Sequence, residues 1–287
     1  MNAPTVTYTS NPVPWKGLLN PGAMVANLWS RRDLIRHFTW REIRARFHGT
    51  SLGILWPIIE PLTRLAVYTA VFVALGIRFG QGDRDTAWHY AVNLFCGLVV
   101  YGMFADAVTH APASVLGKAN LVKKVVFPIE ILPVAVVGAA LFFGIIGLVV
   151  MQAFAAVLLG AVPITIVLIP LIVIPIALLG LGLAWFLASL GVFVRDTRQL
   201  VVVIVSNLLF FLTPVIYPLE SITNPLTRAL LLANPLTTLV ENARRILLLG
   251  EWPQWGPLGA VTLSSIVTAI LGYAWFMKSK RGFSDVI

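Results

Sequence analysis

The stretch PASVLGKANLVKKVVFPIEILP, residues 112–133, interrupts a chain that otherwise consists of long apolar runs. It holds three lysines, and two prolines, Pro128 and Pro133, restart the chain into the next apolar run. Its segment Leu121–Phe127 is amphipathic, but it is too short and too charged to cross a bilayer, which needs about 20 apolar residues. A short helix between two membrane spans, on the basic side of the protein, favours docking to a soluble partner.

The composition indicates an integral membrane protein. Of the 287 residues, 58% are hydrophobic and only 11% are charged, whereas soluble proteins average about 25% charged residues. Cys96 is the only cysteine, which excludes an intramolecular disulfide and a cysteine-based metal centre. The histidines form no metal-ligand pattern with carboxylates, so no bound metal is expected. The first apolar run begins near Leu52, beyond the usual window of a cleavable signal peptide, and none is predicted.

Six apolar runs are long enough to be transmembrane helices, so the sequence predicts an all-α, integral membrane helical bundle. The predicted spans are residues 52–77, 89–110, 129–159, about 164–194, 199–215 and 257–277. Pro170 and Pro175 are expected to bend the fourth span. Glu60 and Arg64 lie four residues apart in the first span, a spacing that allows them to pair. Because charges are costly in lipid, this pair either offsets its own insertion cost or belongs to a polar pathway.

Residues 29–48, WSRRDLIRHFTWREIRARFH, mix arginines with aromatic and aliphatic residues. Helix formers dominate, so an interfacial amphipathic helix at an anionic leaflet is predicted. Its arginines are Arg31, Arg32, Arg36, Arg41, Arg44 and Arg46. Nucleic-acid binding is the rival interpretation, and it is disfavoured next to so many spans. Residues 1–28 are predicted to be an extended cytoplasmic tail, and residues 49–287 are assigned to the transmembrane domain.

Basic residues set the predicted orientation. If both termini are cytoplasmic, 15 of the 21 Lys and Arg residues fall in cytoplasmic segments, as the positive-inside rule requires. The stretch 112–128 then lies in the cytoplasm, and residues 221–255 lie outside.

Prolines and charges break residues 217–255 into shorter pieces. Asn234 as N-cap, Pro235 at the first helical position and Gly250 beyond the end predict a helix over 235–249. This helix is too short to span a bilayer. With a second short helix over 221–233, it predicts an outer re-entrant hairpin.

The sequence contains no GxxxxGK[ST] loop and no HExxH pair. Five of its blocks, in this order, resemble the membrane-spanning (permease) subunits of ABC type-2 polysaccharide exporters. They are GTSLGILWPIIEPL (49–62), ANLVKKVVFPIEILP (119–133), VFVRDTRQL (192–200), LTPVIYPLE (212–220) and NPLTTLVENARRILLLGEWP (234–253). Glu60-Pro61 resembles the capsular polysaccharide (KpsM-type) branch more than the O-antigen and teichoic-acid branches.

The resemblance implies a bacterial inner-membrane protein that pairs with a second copy of itself and with two copies of a separate ABC ATPase. The ATPase would use ATP and Mg, while this chain would bind no cofactor and catalyse no reaction. The cargo would be a lipid-linked polysaccharide, with periplasmic export proteins as possible further partners. The ATPase would contact a coupling segment made of Asn120, Leu121, Val122, Lys123, Lys124, Val125, Phe127 and Pro128. The alternative is that this segment is a simple basic anchor.

Aromatic rings are candidates for the sugar path because their flat faces stack on sugars. The candidate path residues are Trp56, Glu60, Arg64, Tyr68, Phe210, Phe211 and Tyr217, with Trp185 as a further aromatic. Each ring is alternatively a packing residue or an interface anchor. The candidate exit gate is Glu241, Arg244 and Arg245 on the polar side of the hairpin. Two other functions stay open: a drug or lipid exporter of the same permease class, and a membrane-embedded transferase, which would need convergent acid, base or metal-binding groups.

Overall fold

The computed structural model describes residues 15–47, 52–75, 87–118, 127–160, 162–217, 219 and 222–283. In these ranges the regular structure is entirely helical, so the predicted all-α fold is confirmed. The helices are α1 (Trp15–Leu18), α2 (Pro21–Ser30), α3 (Arg32–Ala45), α4 (Trp56–Leu75), α5 (Ala87–His110), α6 (Ala113–Leu116), α7 (Ile131–Leu159), α8 (Pro170–Phe193), α9 (Thr197–Val203), α10 (Pro225–Ala233), α11 (Pro235–Arg244) and α12 (Trp255–Ser279). Helix α9 continues as the π-helix Ile204–Leu209, and α11 continues as the π-helix Arg245–Leu249.

Within the described residues, four helices are long and apolar enough to cross a membrane. They are His89–His110, Ile131–Val157, Ile164–Phe193 and Trp255–Gly282, which correspond to the predicted second, third, fourth and sixth spans. The predicted first span coincides with α4, which is 20 residues long but carries Glu60 and Arg64. The predicted fifth span coincides with the shorter apolar helix Thr197–Leu209. All six predicted spans therefore fall on helices, and four of them meet the length and hydropathy of a span.

The amino-terminal region is more helical than the sequence predicts. The prediction of an extended tail over residues 1–28 is wrong for residues 15–18, which form α1, and for residues 21–28, which belong to α2. Asn20 caps this helix by accepting hydrogen bonds from the N–H groups of Gly22 and Ala23, at 2.9 and 3.3 Å. Pro21 suits the first helical position because its missing N–H would have no partner there.

The predicted interfacial helix is also shorter than expected. Instead of covering residues 29–48, α3 begins at Arg32 and ends at Ala45, and Arg31 forms the junction with α2. Residues 1–14 and His48 lie outside the described residues.

Pro170 is the first residue of α8 and follows the 3-10 helix Ile164–Leu168, so it lies at a junction within the fourth span, and the bend expected there stays a prediction. A proline at that position removes no intrahelical hydrogen bond. Pro175 does lie inside α8.

Helices α8 and α12 make the most extensive helix pair. A Cβ atom added at Gly272 would overlap the carbonyl of Gly182, and one added at Gly182 would overlap the backbone of Thr268. Small residues of this kind let the backbones of two membrane helices approach closely. The close approach fixes α12 along α8 and so fixes where the end of α12 lies.

Two buried clusters organise the rest of the chain. The larger one surrounds α5, which is the most buried of the four long helices, and includes Phe95, Tyr101 and Met103. The second surrounds the fully buried Trp185, where α2, α3 and the start of α7 meet the end of α12.

Candidate functional site

Most of the predicted coupling segment lies outside the described residues. This holds for Asn120, Leu121, Val122, Lys123, Lys124 and Val125, so the short helix expected there stays a prediction. Phe127 and Pro128 are described, and both are half-buried.

Residues on both sides of the undescribed stretch 119–126 contact the same helix, α3. On the amino-terminal side, Lys118 forms an ion pair with Glu42. On the carboxyl-terminal side, the Phe127 ring lies 5.4 Å from the Phe38 ring, centroid to centroid. The Lys118 ammonium also lies 5.9 Å from the centroid of the Phe38 ring. Lys118, which precedes the segment, and Phe127, near its carboxyl-terminal end, are therefore held by one helix.

A buried carboxylate, Glu130, follows the coupling segment. Its side chain is 1% exposed and forms ion pairs with Arg31 and with Lys280, whose Nζ lies 3.2 Å from Oε2. Asn27 donates to Glu130 Oε1 at 3.4 Å and to the Tyr273 hydroxyl at 2.7 Å. Sequence reasoning missed this cluster. The available signal was an acidic residue at the start of a long apolar run on the basic side of the protein.

The six arginines of the interfacial helix divide into two groups. Arg31 and Arg46 point inward: Arg31 pairs with Glu130, and Arg46 Nη1 lies 2.7 Å from Asp106 Oδ2. The other four are exposed. Three of these lie over aromatic rings, with the Cζ atom 4.9 to 5.6 Å from the ring centroid: Arg32 over Trp29, Arg41 over Phe38 and Arg44 over Trp40. The fourth exposed arginine is Arg36. An exposed face of arginine and tryptophan suits the headgroup region of a membrane.

The predicted pairing of Glu60 and Arg64 is confirmed. Arg64 Nη2 lies 2.5 Å from Glu60 Oε1, yet the two side chains are 57% and 58% exposed. Val67 and Val71 lie three and seven residues after Arg64, so they share its face of the helix. Both valines are also exposed. We call Trp56, Glu60, Arg64, Val67 and Val71 the α4 stripe. If α4 crosses the membrane, as the sequence predicts, this charged stripe cannot face lipid without a large cost.

The other candidate path residues have different environments. Tyr68 is half-buried in the core around α5, and Phe210 packs edge-on against Tyr101 at 5.4 Å. Phe211 is exposed, and its carbonyl accepts a 2.7 Å hydrogen bond from the Tyr217 hydroxyl. Trp185 is fully buried and donates to the Glu130 carbonyl at 3.0 Å. The interpretation of Trp185 as a path residue is therefore wrong, because its ring is enclosed by the protein.

The two short helices predicted over 221–233 and 235–249 form as α10 and as α11 with its π-helical continuation, with Asn224 and Asn234 as their N-caps. The candidate gate residues do not share one open polar face, however. Arg244 is buried, with its side chain 8% exposed, and Arg244 Nη1 lies 2.8 Å from Glu241 Oε1. The Arg245 side chain is 33% exposed, and its Nη2 lies 3.0 Å from Glu251 Oε2. Of the three residues predicted on the polar side of the hairpin, Arg244 is thus buried beside Glu241, and Arg245 pairs separately with Glu251.

Arg244 faces α5 and residues 212–216, which follow the π-helix Ile204–Leu209. It donates to the main-chain carbonyls of Val215 at 2.8 Å and Asn93 at 3.3 Å. Gly97 on α5 leaves room for it, since a Cβ atom there would lie 3.0 Å from Arg244 Nη2.

Further side-chain donors hold the same segment. The Tyr90 hydroxyl donates to the Ile216 carbonyl at 2.5 Å, and the Asn234 amide donates to the Leu212 carbonyl at 3.1 Å. Carbonyls that leave a helix within a membrane need such partners, because no water is available to them. The hairpin and α5 therefore fix residues 212–216 together.

Comparison with known families decides the class of the protein. The pattern of the family described as ABC-2 type transporter matches residues 33–248, a range that includes α3, both ends of the coupling segment and the outer hairpin. The chain belongs to the ABC-2 type transporter family. It is a membrane-integral permease of this family, as the resemblance of the five sequence blocks implies.

Several relatives match this ABC-2 chain over most of its length. The O-antigen export system permease protein RfbA of Myxococcus xanthus is 30% identical over 268 residues, which are 92% of this chain and 99% of the relative. RfbA of Klebsiella pneumoniae is 24% identical over 92% of this chain and 98% of the relative. The polysialic acid transport protein KpsM of Escherichia coli is 23% identical over 82% of this chain and 89% of the relative.

These relatives do not support the capsule branch inferred from Glu60-Pro61. The KpsM similarity is lower in identity and in coverage than the RfbA similarity. A single dipeptide carries little weight against a similarity that extends over nearly the whole chain.

Proposed function

We propose that this ABC-2 permease is the transmembrane subunit of an ATP-driven exporter of a lipid-linked polysaccharide of the O-antigen type. The observation that carries the proposal is the similarity to the Myxococcus xanthus O-antigen permease, which covers 99% of that relative. Export of a capsular polysaccharide is the second candidate, and the similarity to KpsM favours it.

The energy source in this proposal is a separate ABC ATPase, present in two copies, that uses ATP and Mg. The 287 residues contain no GxxxxGK[ST] loop, so the chain does not cradle phosphates in that way. Residues 120–128 would dock in a groove of the ATPase. The support is that Lys118, just before this segment, and Phe127 within it both contact α3, through Glu42 and Phe38.

The second partner in this proposal is another copy of the chain. The α4 stripe carries an exposed ion pair on a helix of spanning length. The cost of placing charges in lipid favours a protein or polar cover for this face, and a second copy would bring its own stripe to the same contact. The cargo would pass between the two stripes, with Phe211 as an exposed aromatic near the outer hairpin.

The proposed location is the bacterial inner membrane, with both termini in the cytoplasm and possible periplasmic partners at the outer hairpin. The support is that 15 of 21 Lys and Arg residues lie on the cytoplasmic side of this arrangement. An impermeant thiol reagent should label Ser279→Cys only after cells are permeabilised. Labelling of that variant in intact cells would contradict the orientation.

Deletion of the gene in its source organism tests the function. We expect the surface polysaccharide to disappear while its lipid-linked form accumulates on the cytoplasmic side, and a plasmid copy to restore export. The ABC ATPase should be retained on the affinity-purified permease. Normal surface polysaccharide in the deletion strain would contradict the proposal, and loss of capsule alone would favour the second candidate.

A further inference from the structure

Glu130 joins parts of the chain that are far apart in sequence. Arg31 lies at the α2–α3 junction, Lys280 follows α12, and both pair with the Glu130 carboxylate. The indole of Trp185, from α8, donates to the Glu130 carbonyl at 3.0 Å. Glu130 lies at the start of α7. Its side chain and main chain thus connect α7 to the α2–α3 junction, to α8 and to the end of α12.

The Glu130 carboxylate is buried and is held by several partners. With 1% of its side chain exposed, the carboxylate depends on its partners, because a buried charge without compensation is strongly unfavourable. Asn27 donates to the carboxylate and also to the Tyr273 hydroxyl on α12. This amide links α2 to α12 directly beside the two ion pairs.

The cluster lies next to the carboxyl-terminal end of the coupling segment. Only Pro128 and Ile129 separate Phe127 from Glu130, and Phe127 itself contacts Phe38 on α3. Two residues before the segment, Lys118 pairs with Glu42 on the same helix. A displacement of the segment would therefore act on α3 through Phe127 and Lys118, and at Glu130 it would also act on α12.

We propose that Glu130 is a positioning residue for transport. It ties the exit of the coupling segment to α3 and to the end of α12, so that a movement imposed on the segment displaces the last span. This inference rests on the proposed function, because it assumes that an ATPase acts on the segment. Glu130 is not expected to touch ATP or the polysaccharide, since its carboxylate is enclosed by the protein.

The test uses the permease–ATPase complex and compares polysaccharide export with ATP hydrolysis. Glu130→Gln removes the charge at nearly constant size, so Asn27 and Trp185 keep their hydrogen bonds. We expect the complex to assemble and to hydrolyse ATP within about twofold of the original rate, while export per ATP hydrolysed falls about tenfold. Glu130→Asp should restore part of that ratio. Asp33→Asn is the matched control, because Asp33 is an exposed carboxylate on α3, and its ratio should not change.

Lys280→Gln provides a second reading, since it removes one of the two cations and leaves Arg31 in place. This variant should also lower the amount of polysaccharide exported per ATP hydrolysed. An unchanged ratio in an assembled variant, or export and hydrolysis that fall in parallel, would overturn the positioning role. So would failure of both variants to reach the membrane, because the cluster would then serve folding alone. If the unmodified complex neither hydrolyses ATP nor exports, the proposed function itself fails.

Discussion

At the scale of single residues, Arg244 and Arg245 are adjacent in sequence and differ in environment. Arg244 is buried and donates to the carbonyls of Asn93 and Val215, while Arg245 is a third exposed and pairs with Glu251. The contrast follows from helix geometry, because successive side chains of a helix point about 100° apart.

Arg244→Met should destabilise the permease much more than Arg245→Met. Removing Arg244 takes a donor from two main-chain carbonyls in a region of low water content, and loss of one partner of a buried charged contact costs about 3–5 kcal/mol. The exposed Arg245 pair is worth about 1 kcal/mol or less. The measurement is thermal unfolding of the detergent-solubilised protein, and equal losses for the two variants would contradict this account.

Sequence reasoning found the helix around Arg244 but not its orientation. The proline, the N-capping asparagine and Gly250 are local signals, and they predicted the helix over 235–249. Which arginine points inward depends on Gly97 and Val215, which are distant in sequence. Glu130 was missed for the same reason, because Arg31 and Lys280 reach it only after the chain has folded.

At the scale of helices, the contact between α8 and α12 depends on paired glycines. Gly272→Ala should destabilise the protein by about 1–3 kcal/mol, the usual cost of overpacking, because its Cβ would overlap the Gly182 carbonyl. Gly259→Ala, on the same helix, is the control, since nothing lies within 4 Å of a Cβ placed there. Unfolding measurements on the two variants check this, and a neutral Gly272→Ala would contradict the close packing.

The coupling segment is the second element-scale test. In a protein groove, Val125→Asp should abolish retention of the ATPase, because a carboxylate would face apolar walls, while Lys123→Ala should have a small effect. Val125 is a cleaner target than Phe127, which also contacts Phe38. A lipid anchor predicts instead that loss of the lysine matters about as much. ATPase retention on the purified permease distinguishes the two, and full retention in Val125→Asp would contradict docking.

At the scale of the whole molecule, the α4 stripe is the face that a second copy would cover. Sequence spacing predicted the Glu60–Arg64 pair, since four residues bring two side chains to one helix face. It could not predict that the pair is exposed, because exposure depends on how α4 packs against α5 and α7. The charged face therefore became apparent only in the folded chain.

Cross-linking tests the contact between copies. In a Cys96→Ser background, Val67→Cys should form a disulfide-linked dimer in membranes, because Val67 is 54% exposed on the stripe. Thr69→Cys is the matched control, since Thr69 is two residues away and 6% exposed. A dimer yield at position 67 no higher than at position 69 would argue against the pairing of two stripes.

The wide turn at Ile204–Leu209 makes this helix tolerant to shortening by one residue. A turn closed by i→i+5 hydrogen bonds holds more residues than an α-helical turn, so removing Asn207 can return it to ordinary geometry while Val203 and Phe210 keep their orientations. Removing Ser264 from the regular helix α12 would instead rotate every later residue by about 100°. Membrane abundance of the two deletion variants should therefore differ, with the Asn207 deletion accumulating and the Ser264 deletion lost. The Tyr101 hydroxyl donates to the Val205 carbonyl inside this wide turn, so the turn also joins the helix to α5.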